Sequence, residues 1–537
     1  MEYMSMNMCE HGEQVHIIQE KIDPNGSQFK PDVNDFVFAV KAFVLGYFFS
    51  SWVLFSWQGW GVTAFTTVYL YSSSKYLSKK GAFVKSREVR FWWIITFLIG
   101  VSYALWYNQG LAIIRGAFLF CSAVYYIIAA SGTAIMGKTG NFLMLDAINA
   151  FLIIPFGNIL NQYVSFKGLR DGTDRHKKIL SIVIGLLLSV LLVLCLNPLL
   201  HRADSGGFRI VSNFITNVFT IPADFLRLFY FHLIFTFPVA AYIYGLVSGA
   251  AHKKATGIFK PESAKKAAYV LRVMQPITVH IAIGTVCGLY LLFIFCQLPY
   301  FFSAFSGNRP EGWLVYSEYA RQGFFELCWI ATINLFIILL GNVMCKKDGS
   351  ERKLLKTYNI VLALITLVLI ATAFSKMALY INAYGLTMRR LLPCVFMVFL
   401  AAVFIALMIL QKRMFSIMRF ALILGAVMLC VLFLLNPDAL VIRYNTNRYI
   451  NGTLSEIDVD MLYNAGFAGI RSAIWVYDTS TDADLKRAFA FYLQGRKESI
   501  SNMPIWDSHL WGGGSNMRNL ELYQALWATY RRRFINY

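Results

Sequence analysis

Charged residues are scarce in this sequence. Only 15% of its 537 residues are Asp, Glu, Lys or Arg, whereas about 25% is usual for a soluble globular domain. The nine cysteines form no C-x-x-C pair, and most of them lie within apolar runs. They therefore predict neither a metal centre nor a disulfide framework. These deficits exclude a soluble enzyme, a disordered chain and a disulfide-stabilised scaffold.

Hydrophobic residues, by contrast, make up 57% of the chain, and aromatic residues make up 16%. Helices that cross a bilayer core of about 30 Å need about 17–25 apolar residues. Eleven stretches meet or approach this length: 36–57, 59–74, 91–107, 109–130, 179–200, 226–249, 276–297, 319–343, 357–375, 390–410 and 417–435. The composition thus predicts an all-α, polytopic helical membrane protein. Its transmembrane domain covers 36–435 and follows a polar tail, 1–35, which has no signal-peptide pattern.

Basic residues alternate between the loops. The formal net charge is +20, and the basic residues concentrate in every second loop. Six lie in each of loops 75–90, 131–178 and 250–275, five lie in 344–356, and three lie in 411–419. The intervening loops carry at most three. Cytoplasmic loops are enriched in Lys and Arg, so we predict a cytoplasmic N-terminus and an extracytoplasmic C-terminus. The excess positive charge is then a topology signal and indicates no nucleic-acid partner.

Two loops are apolar enough to associate with the membrane. Residues 142–164 mix Phe, Leu and Ile with four polar side chains, and Pro155 is expected to break a continuous helix there. Residues 207–223 carry apolar residues near helical spacing. We predict interfacial or re-entrant segments in both places. If either one crossed the bilayer, every later loop would change side.

The last hundred residues, 436–537, are polar and predict a small helical domain outside the membrane. Thr453 and Glu456 have the spacing of a capping box, which predicts a helix start near them. Ser480 and Asp484 precede a second helical run. This domain is also the candidate surface for a protein partner.

Ionisable side chains within spans are costly, by about 2.5–3.5 kcal/mol on insertion scales, and so are candidates for function. Arg115 is compatible with either a buried role or snorkelling to the interface. His232 and His280 lie deeper in their spans, where a hydrogen-bonded core role competes with a functional one. No third ligand at metal spacing accompanies them, and neither a metal nor a cofactor is predicted.

The outer ends of the eighth and tenth spans are rich in polar, aromatic and charged residues. If both ends line one outward-facing cavity, its candidate ligand contacts are Tyr319, Arg321, Glu326, Tyr380, Asn382, Tyr384, Arg389 and Arg390. Glu326 is predicted to lie about two turns into its span, where a carboxylate requires a cation, water or a raised pKa. The structural alternative is an ion pair with Arg115, Lys376 or Arg390.

Three motifs in these regions resemble the recurring signatures of a known family. They are YARQGFFEL at 319–327, AYGLTMR at 383–389 and NPDALVIRYN at 436–445, and Gly-Trp-Gly at 59–61 adds a looser match. The family is a bacterial multi-pass membrane family filed as a domain of unknown function. The resemblance implies a bacterial plasma-membrane protein and brings no established activity.

Three functions remain open on the sequence. The first is a protein that binds or moves an amphipathic or anionic envelope substrate, with membrane lipids as its surroundings and a lipid-like ligand in the cavity. The second is a sensor or regulatory subunit that uses 436–537 to contact a partner. The third is a transferase acting on a lipid-linked substrate, in which Glu318 or Glu326 would supply the acid or base.

Overall fold

The computed structural model describes a helical protein. The residues it describes are 29–54, 59–105, 111–168, 223–253, 262, 266, 269–306, 324–345 and 351–501, without 414. Across these ranges the elements are helices, and one isolated bridge pairs Met274 with Cys345. The predicted all-α class is therefore confirmed.

The first bundle is formed by the helices up to residue 251. Its long helices are α1 Val33–Phe48, continued by a π-helical turn Phe49–Leu54, α2 Trp60–Lys79, α3 Arg87–Leu105, α4 Ala112–Ser131 and α8 Ala223–Ala251. Between α4 and α8 lie three short helices, α5 Leu143–Ile148, α6 Ile154–Gly157 and α7 Asn161–Gly168, and a π-helical turn Asn149–Ile153 separates α5 from α6. Asp32 caps α1 through a capping box with Asp35, which fixes where the first helix begins.

The second bundle has its own apolar core. It consists of α9 Pro276–Ser306, α10 Phe324–Met344, α11 Glu351–Tyr384 and α12 Met388–Leu410. Helix α13, Ile417–Leu434, joins the bundles: Ile417 belongs to the core of the second, while Ala426, Cys430 and Phe433 belong to the core of the first.

Ten helical segments among the described residues are long and apolar enough to cross a membrane. Nine of them coincide with predicted spans. The tenth, Leu143–Lys167, covers the predicted interfacial segment. Helix α2 is 20 residues long but is not among the ten, since Ser72, Ser73 and Ser74 lower the hydropathy of its second half. Two predicted features lie outside the described residues. They are the span 179–200 and all of the segment 207–223 except residue 223.

Helix ends that carry basic residues meet at one end of both bundles, which we call the basic end. There Lys80 and His252 contact Asp35, joining the end of α2 and the end of α8 to the start of α1. Arg419 at the start of α13 lies 3.5 Å from Glu88 at the start of α3. Lys356 Nζ donates to the Gln411 carbonyl, 3.2 Å, and so joins the start of α11 to the end of α12. The described helix ends that border the basic loops thus share one end in space, and we call the opposite end the far end.

The 143–168 segment enters and leaves at the basic end. Its first helix is fixed there by Asp146, whose carboxylate accepts from the Ile135 backbone N–H at 2.7 Å. In its middle, the Phe151 carbonyl accepts from Tyr242, about ten residues from the end of α8. Near its last residues, Phe166 packs edge-on against Phe36 in the first turn of α1, 5.9 Å between ring centroids.

Pro155 does not interrupt this segment where the sequence suggested. Proline lacks a backbone donor, and it occupies the first turn of α6, where a donor is not needed. The π-helical turn Asn149–Ile153 directly before it absorbs the change in hydrogen-bond pattern. The helix breaks at Asn158 instead, three residues later.

The C-terminal domain lies at the far end. It contains α14 Pro437–Ile450, α15 Asp460–Asn464, α16 Ile470–Thr479 and α17 Ala483–Ser501, which share a small apolar core. The predicted capping box at Thr453 is wrong: its hydroxyl donates to the Arg448 carbonyl, and the next helix begins only at Asp460. The helical run predicted after Ser480 is confirmed as α17, and the Asp482 carboxylate accepts from the backbone N–H groups of Asp484 and Leu485.

Candidate functional site

Three of the predicted outer contacts converge at the joint between α11 and α12. The Arg390 guanidinium stacks on the Tyr380 ring, 4.0 Å from its centroid, and the Tyr380 and Tyr384 rings are 5.5 Å apart. Arg390 also donates to the carbonyls of Tyr384, at 2.9 Å, and Gly385. These carbonyls end α11, so Arg390 satisfies orphan acceptors of the helix. This geometry is that of a helix joint.

The other predicted outer contacts are not gathered there. Asn382 and Arg389 are exposed, and Tyr319 and Arg321 lie outside the described residues. The described part of α10 begins at Phe324, and Glu326 is exposed in its first turn. Glu326 interacts electrostatically with Lys376 of α11. Lys376 is one of the cations that the sequence proposed for a structural pair.

The same joint explains two of the sequence motifs. Asn445 of α14 accepts from the Leu386 N–H at 2.6 Å and donates to the Leu386 carbonyl at 2.7 Å. Gly385, with φ +76°, approaches the Asn445 side chain so closely that a Cβ would lie 2.7 Å from its oxygen. AYGLTMR and NPDALVIRYN are therefore two halves of one contact, which fastens the C-terminal domain to the second bundle.

The two predicted histidines are buried in different bundles. His232 Nδ1 lies 3.0 Å from the Ser50 hydroxyl, and its ring meets Tyr47 edge-on. His280 packs against the Tyr358 ring with 5.6 Å between centroids. Among the described residues, no group of three His, Cys, Asp or Glu side chains converges in a way that could hold a metal ion.

Arg115, in the first turn of α4, is buried, with only 1% of its surface exposed. Its guanidinium lies 3.9 Å from the centroid of the Tyr103 ring and donates to the Ser102 carbonyl at 3.4 Å. Asp438, in the first turn of α14, interacts with it electrostatically. Burial raises the pKa of Asp438 to about 6, and the positive charge of Arg115 opposes that rise.

Beside Arg115 lies a feature that sequence reasoning missed, an apolar cavity of about 590 Å³ inside the first bundle. Its walls come from the π-helical turn after α1, from α2, α3, α4 and α8, and from α6 with the turn after it. Lining residues include Phe49, Leu54, Phe65, Thr66, Tyr69, Tyr103, Ile113, Gly116, Phe120, Phe156, Pro238 and Tyr242. The only sequence signal is a run of small residues on α4, Gly116, Ala117 and Ala123, and such residues are equally common at helix contacts.

Few polar groups of the cavity wall are available to a ligand. Thr66 donates its hydroxyl to the Val62 carbonyl at 2.8 Å, Tyr69 donates to Ala123 at 3.3 Å, and Tyr242 donates to Phe151 at 3.2 Å. These hydroxyls are committed to the backbone. The Tyr103 hydroxyl forms a hydrogen bond with Arg115, and the remaining lining is hydrocarbon and aromatic, so the cavity suits an apolar guest.

The cavity opens sideways and is elongated. Three of its lining residues, Ile113, Phe120 and Phe156, are themselves exposed on the outside of the bundle. Along α4 the lining runs from Ile113 to Val124, which at ~1.5 Å per residue is about 17 Å. One leaflet of a ~30 Å hydrocarbon core is about as deep. The cavity therefore runs from near the far end to about the middle of the helix layer.

Comparison with known proteins supplies a family. A family model described as a domain of unknown function, DUF4153, matches residues 93–474, which is 382 of the 537 residues. The chain therefore belongs to the DUF4153 family, in agreement with the resemblance of its three motifs. No curated protein and no solved structure matches the chain.

Proposed function

We propose that this multi-pass membrane protein binds a lipid-like amphipathic molecule and holds one of its hydrocarbon chains in the cavity of the first bundle. The observation that carries the proposal is the cavity itself, with its apolar wall, sideways opening and length of one leaflet. Its volume of about 590 Å³ falls within the ~300–1,000 Å³ usual for ligand pockets. The proposed ligand site therefore lies in the first bundle, whereas the sequence suggested a site at the outer ends of α10 and α12.

A lipid whose chain carries a photoreactive diazirine tests this proposal. We expect crosslinks in the reconstituted protein to map to cavity residues between 113 and 124. Gly116→Phe fills the cavity and should reduce crosslinking about tenfold or more, which corresponds to ~1.4 kcal/mol of binding free energy. Gly288→Phe is the matched control, because a side chain at Gly288 of α9 meets nothing within 4 Å. Equal crosslinking of Gly116→Phe and the unsubstituted protein would overturn the proposal.

The basic end supports a cytoplasmic N-terminus and an extracytoplasmic C-terminal domain, since Lys and Arg favour the cytoplasmic side. The motif resemblance favours a bacterial plasma membrane. In a background without the nine native cysteines, Ser480→Cys should react with an impermeant thiol reagent in intact cells, and Glu262→Cys should not. The reverse pattern would overturn this orientation.

The contacts of the 143–168 segment support a re-entrant path. Asp146 and Phe166 both contact basic-end residues, and the contacts of Phe151 and Phe156 with Tyr242 lie about 14 Å along α8, counted as nine residues at ~1.5 Å each. Cysteines placed at Lys138 and Lys167 should both be protected from an impermeant reagent. Reactivity of only one of them would show that the segment crosses.

A second candidate function is a sensor or regulatory subunit whose C-terminal domain receives a protein partner. The favouring observation is the Asn445 contact, which connects this domain to the backbone of the α11–α12 joint. Asn445→Ala should speed hydrogen exchange at residues 384–390 while the domain itself stays folded. Unchanged exchange there would remove this candidate.

A further inference from the structure

A buried arginine, Arg115, lies beside the end of the cavity that is nearer the far end of the bundle. Arg115 is flanked in sequence by residues that line the cavity, Ile113 and Gly116. Tyr103 also lines the cavity, and the Arg115 guanidinium packs on its ring at 3.9 Å. Arg115 itself lies behind this ring, buried from solvent and from the cavity.

The depth of Arg115 matches the polar end of a lipid. It is three residues from the start of α4, or about 5 Å at ~1.5 Å per residue. The apolar lining extends from there toward the middle of the bilayer. A lipid chain in the cavity therefore places its polar group beside Tyr103 and Arg115.

The carboxylate that Arg115 interacts with is also buried, and burial disfavours its charged form. Asp438 is 7% exposed, and burial raises its pKa to about 6 despite the nearby guanidinium. A phosphate or carboxylate of a ligand can therefore replace Asp438 as the counter-charge. Arginine binds such groups well, since its planar guanidinium can donate two parallel hydrogen bonds to them.

We propose that Arg115 is the headgroup-recognition residue of the cavity and selects lipids with an anionic headgroup, with Asp438 as its counter-charge in the absence of ligand. This assignment rests on the proposed lipid-binding function. Because Tyr103 lines the cavity and packs on the guanidinium, contact between the headgroup and Arg115 requires the Tyr103 ring to turn aside.

Two lipids with identical diazirine-bearing chains test the assignment, one with a phosphatidylglycerol and one with a phosphatidylcholine headgroup. In the full-length protein we expect crosslinks at residues 113–124 to favour phosphatidylglycerol about tenfold, or ~1.4 kcal/mol. Arg115→Gln should bring this ratio near one while crosslinking by phosphatidylcholine persists. Arg90→Gln, a charge change at the basic end, is the matched control and should keep the ratio.

The outcomes separate the two proposals. Equal crosslinking by both lipids in the unsubstituted protein overturns the headgroup assignment alone, whereas no crosslinking by either lipid overturns the cavity proposal and this one with it. If excess inorganic phosphate abolishes the preference for phosphatidylglycerol, Arg115 binds free phosphate and the assignment of a lipid headgroup as the bound anion is wrong. If Arg115→Gln does not fold, Asp438→Asn decides: removing the competing carboxylate should raise the ratio, and an unchanged or lower ratio overturns the assignment.

Discussion

The first bundle buries a carboxylate near its basic end, whereas the second bundle buries a carboxamide in the middle of α10. Asp35 is fully buried and accepts from Tyr76 at 2.5 Å and Lys80 at 2.8 Å, with His252 Nε2 3.0 Å away. Asn334, equally buried, accepts from the Tyr290 hydroxyl at 2.8 Å and donates to the Thr366 hydroxyl at 3.0 Å, and both of these partners are neutral. The two bundles thus use different chemistry for the same purpose, joining three helices.

Depth explains the difference. Asp35 lies in the first turn of α1, where water and lipid headgroups are close, while Asn334 is ten residues into α10, about 15 Å at ~1.5 Å per residue. Inserting a charge at the bilayer centre costs about 2.5–3.5 kcal/mol, and a neutral amide costs less. Charged contacts can therefore be strong only near the helix ends, and neutral contacts serve in between.

The largest effect is expected at the charged contact. Asp35→Asn keeps the size of the side chain but removes the buried charge that Lys80 and His252 contact, and Lys80 keeps only the half-exposed Asp32 carboxylate, 2.9 Å away. Breaking one side of a buried ion pair costs about 3–5 kcal/mol, so the free energy of unfolding should fall by this amount. Thermal unfolding in detergent measures the change.

The control is Asp484→Asn in the C-terminal domain, where the partner Arg487 is 3.3 Å away but both side chains are largely exposed. An exposed pair contributes about 0–1 kcal/mol. If both variants lose the same free energy of unfolding, the strength of the polar contacts in this protein does not depend on their depth.

The second carboxylate of interest, Asp438, has the opposite pH behaviour to an ordinary ion pair. Burial raises its pKa to about 6, so between about pH 4 and 6 the folded state holds a proton that the unfolded state has released. Stability should therefore fall as pH rises through this window, by up to about 3 kcal/mol for a shift of roughly two pH units at 1.36 kcal/mol each. Above about pH 6 this contribution stays constant.

Asp438→Asn isolates this contribution. The difference in melting temperature between the unsubstituted protein and the variant should change between pH 4 and 7, with the unsubstituted protein relatively more stable at pH 4. A difference that does not vary with pH would show that the pKa of Asp438 is the same in the folded and the unfolded state, as it is for an exposed carboxylate.

A third effect is expected where the 143–168 segment packs on α8. A Cβ at Gly245 would lie 2.4 Å from the Pro155 carbonyl oxygen, which is backbone and cannot rotate away. Gly245→Ala should therefore cost about 1–3 kcal/mol, as overpacking does, and increase hydrogen exchange in residues 143–168. Gly288→Ala in the second bundle, with open space around it, should leave both unchanged. If Gly245→Ala and Gly288→Ala have the same effect on stability and hydrogen exchange, the contact between Gly245 and Pro155 does not hold the 143–168 segment against α8.

Sequence reasoning predicted the parts of the fold that depend on local composition. Nine of the candidate spans follow from runs of apolar residues, and the basic end follows from loops such as 75–90. The cavity could not be predicted, because its walls combine residues as distant as Phe49, Gly116 and Tyr242, each of which is an ordinary apolar or small residue by itself. Position in three dimensions, rather than residue type, makes them a site.

The candidate contacts at the outer span ends show the same limit. Arg390 has the residue type of a ligand contact, and its use at the end of α11 depends on Gly385, whose positive φ ends the helix. Asn445 and Leu386 are 59 residues apart, so their pairing follows from tertiary packing. The Thr453 capping box failed for a related reason, because Arg448 and Thr453 bond to each other and close a turn instead.

The smallest effect is expected at the neutral contact of the second bundle. Asn334 accepts from Tyr290 and donates to Thr366 at 3.0 Å, which links α9, α10 and α11. Hydrogen bonds between membrane helices contribute about 0.6 kcal/mol on average and at most ~1.7, since the unfolded chain in the membrane also finds partners. Asn334→Leu should therefore lower the free energy of unfolding by roughly this amount, several times less than Asp35→Asn.

A double-mutant cycle with Thr366→Val isolates the Asn334–Thr366 bond, because the Tyr290 contact is lost with Asn334 in both backgrounds. A coupling energy above ~2 kcal/mol would mean that the neutral contact in mid-helix stabilises the protein about as much as the charged contact at the basic end. The two bundles would then differ in the chemistry of their buried polar contacts but not in the strength of those contacts.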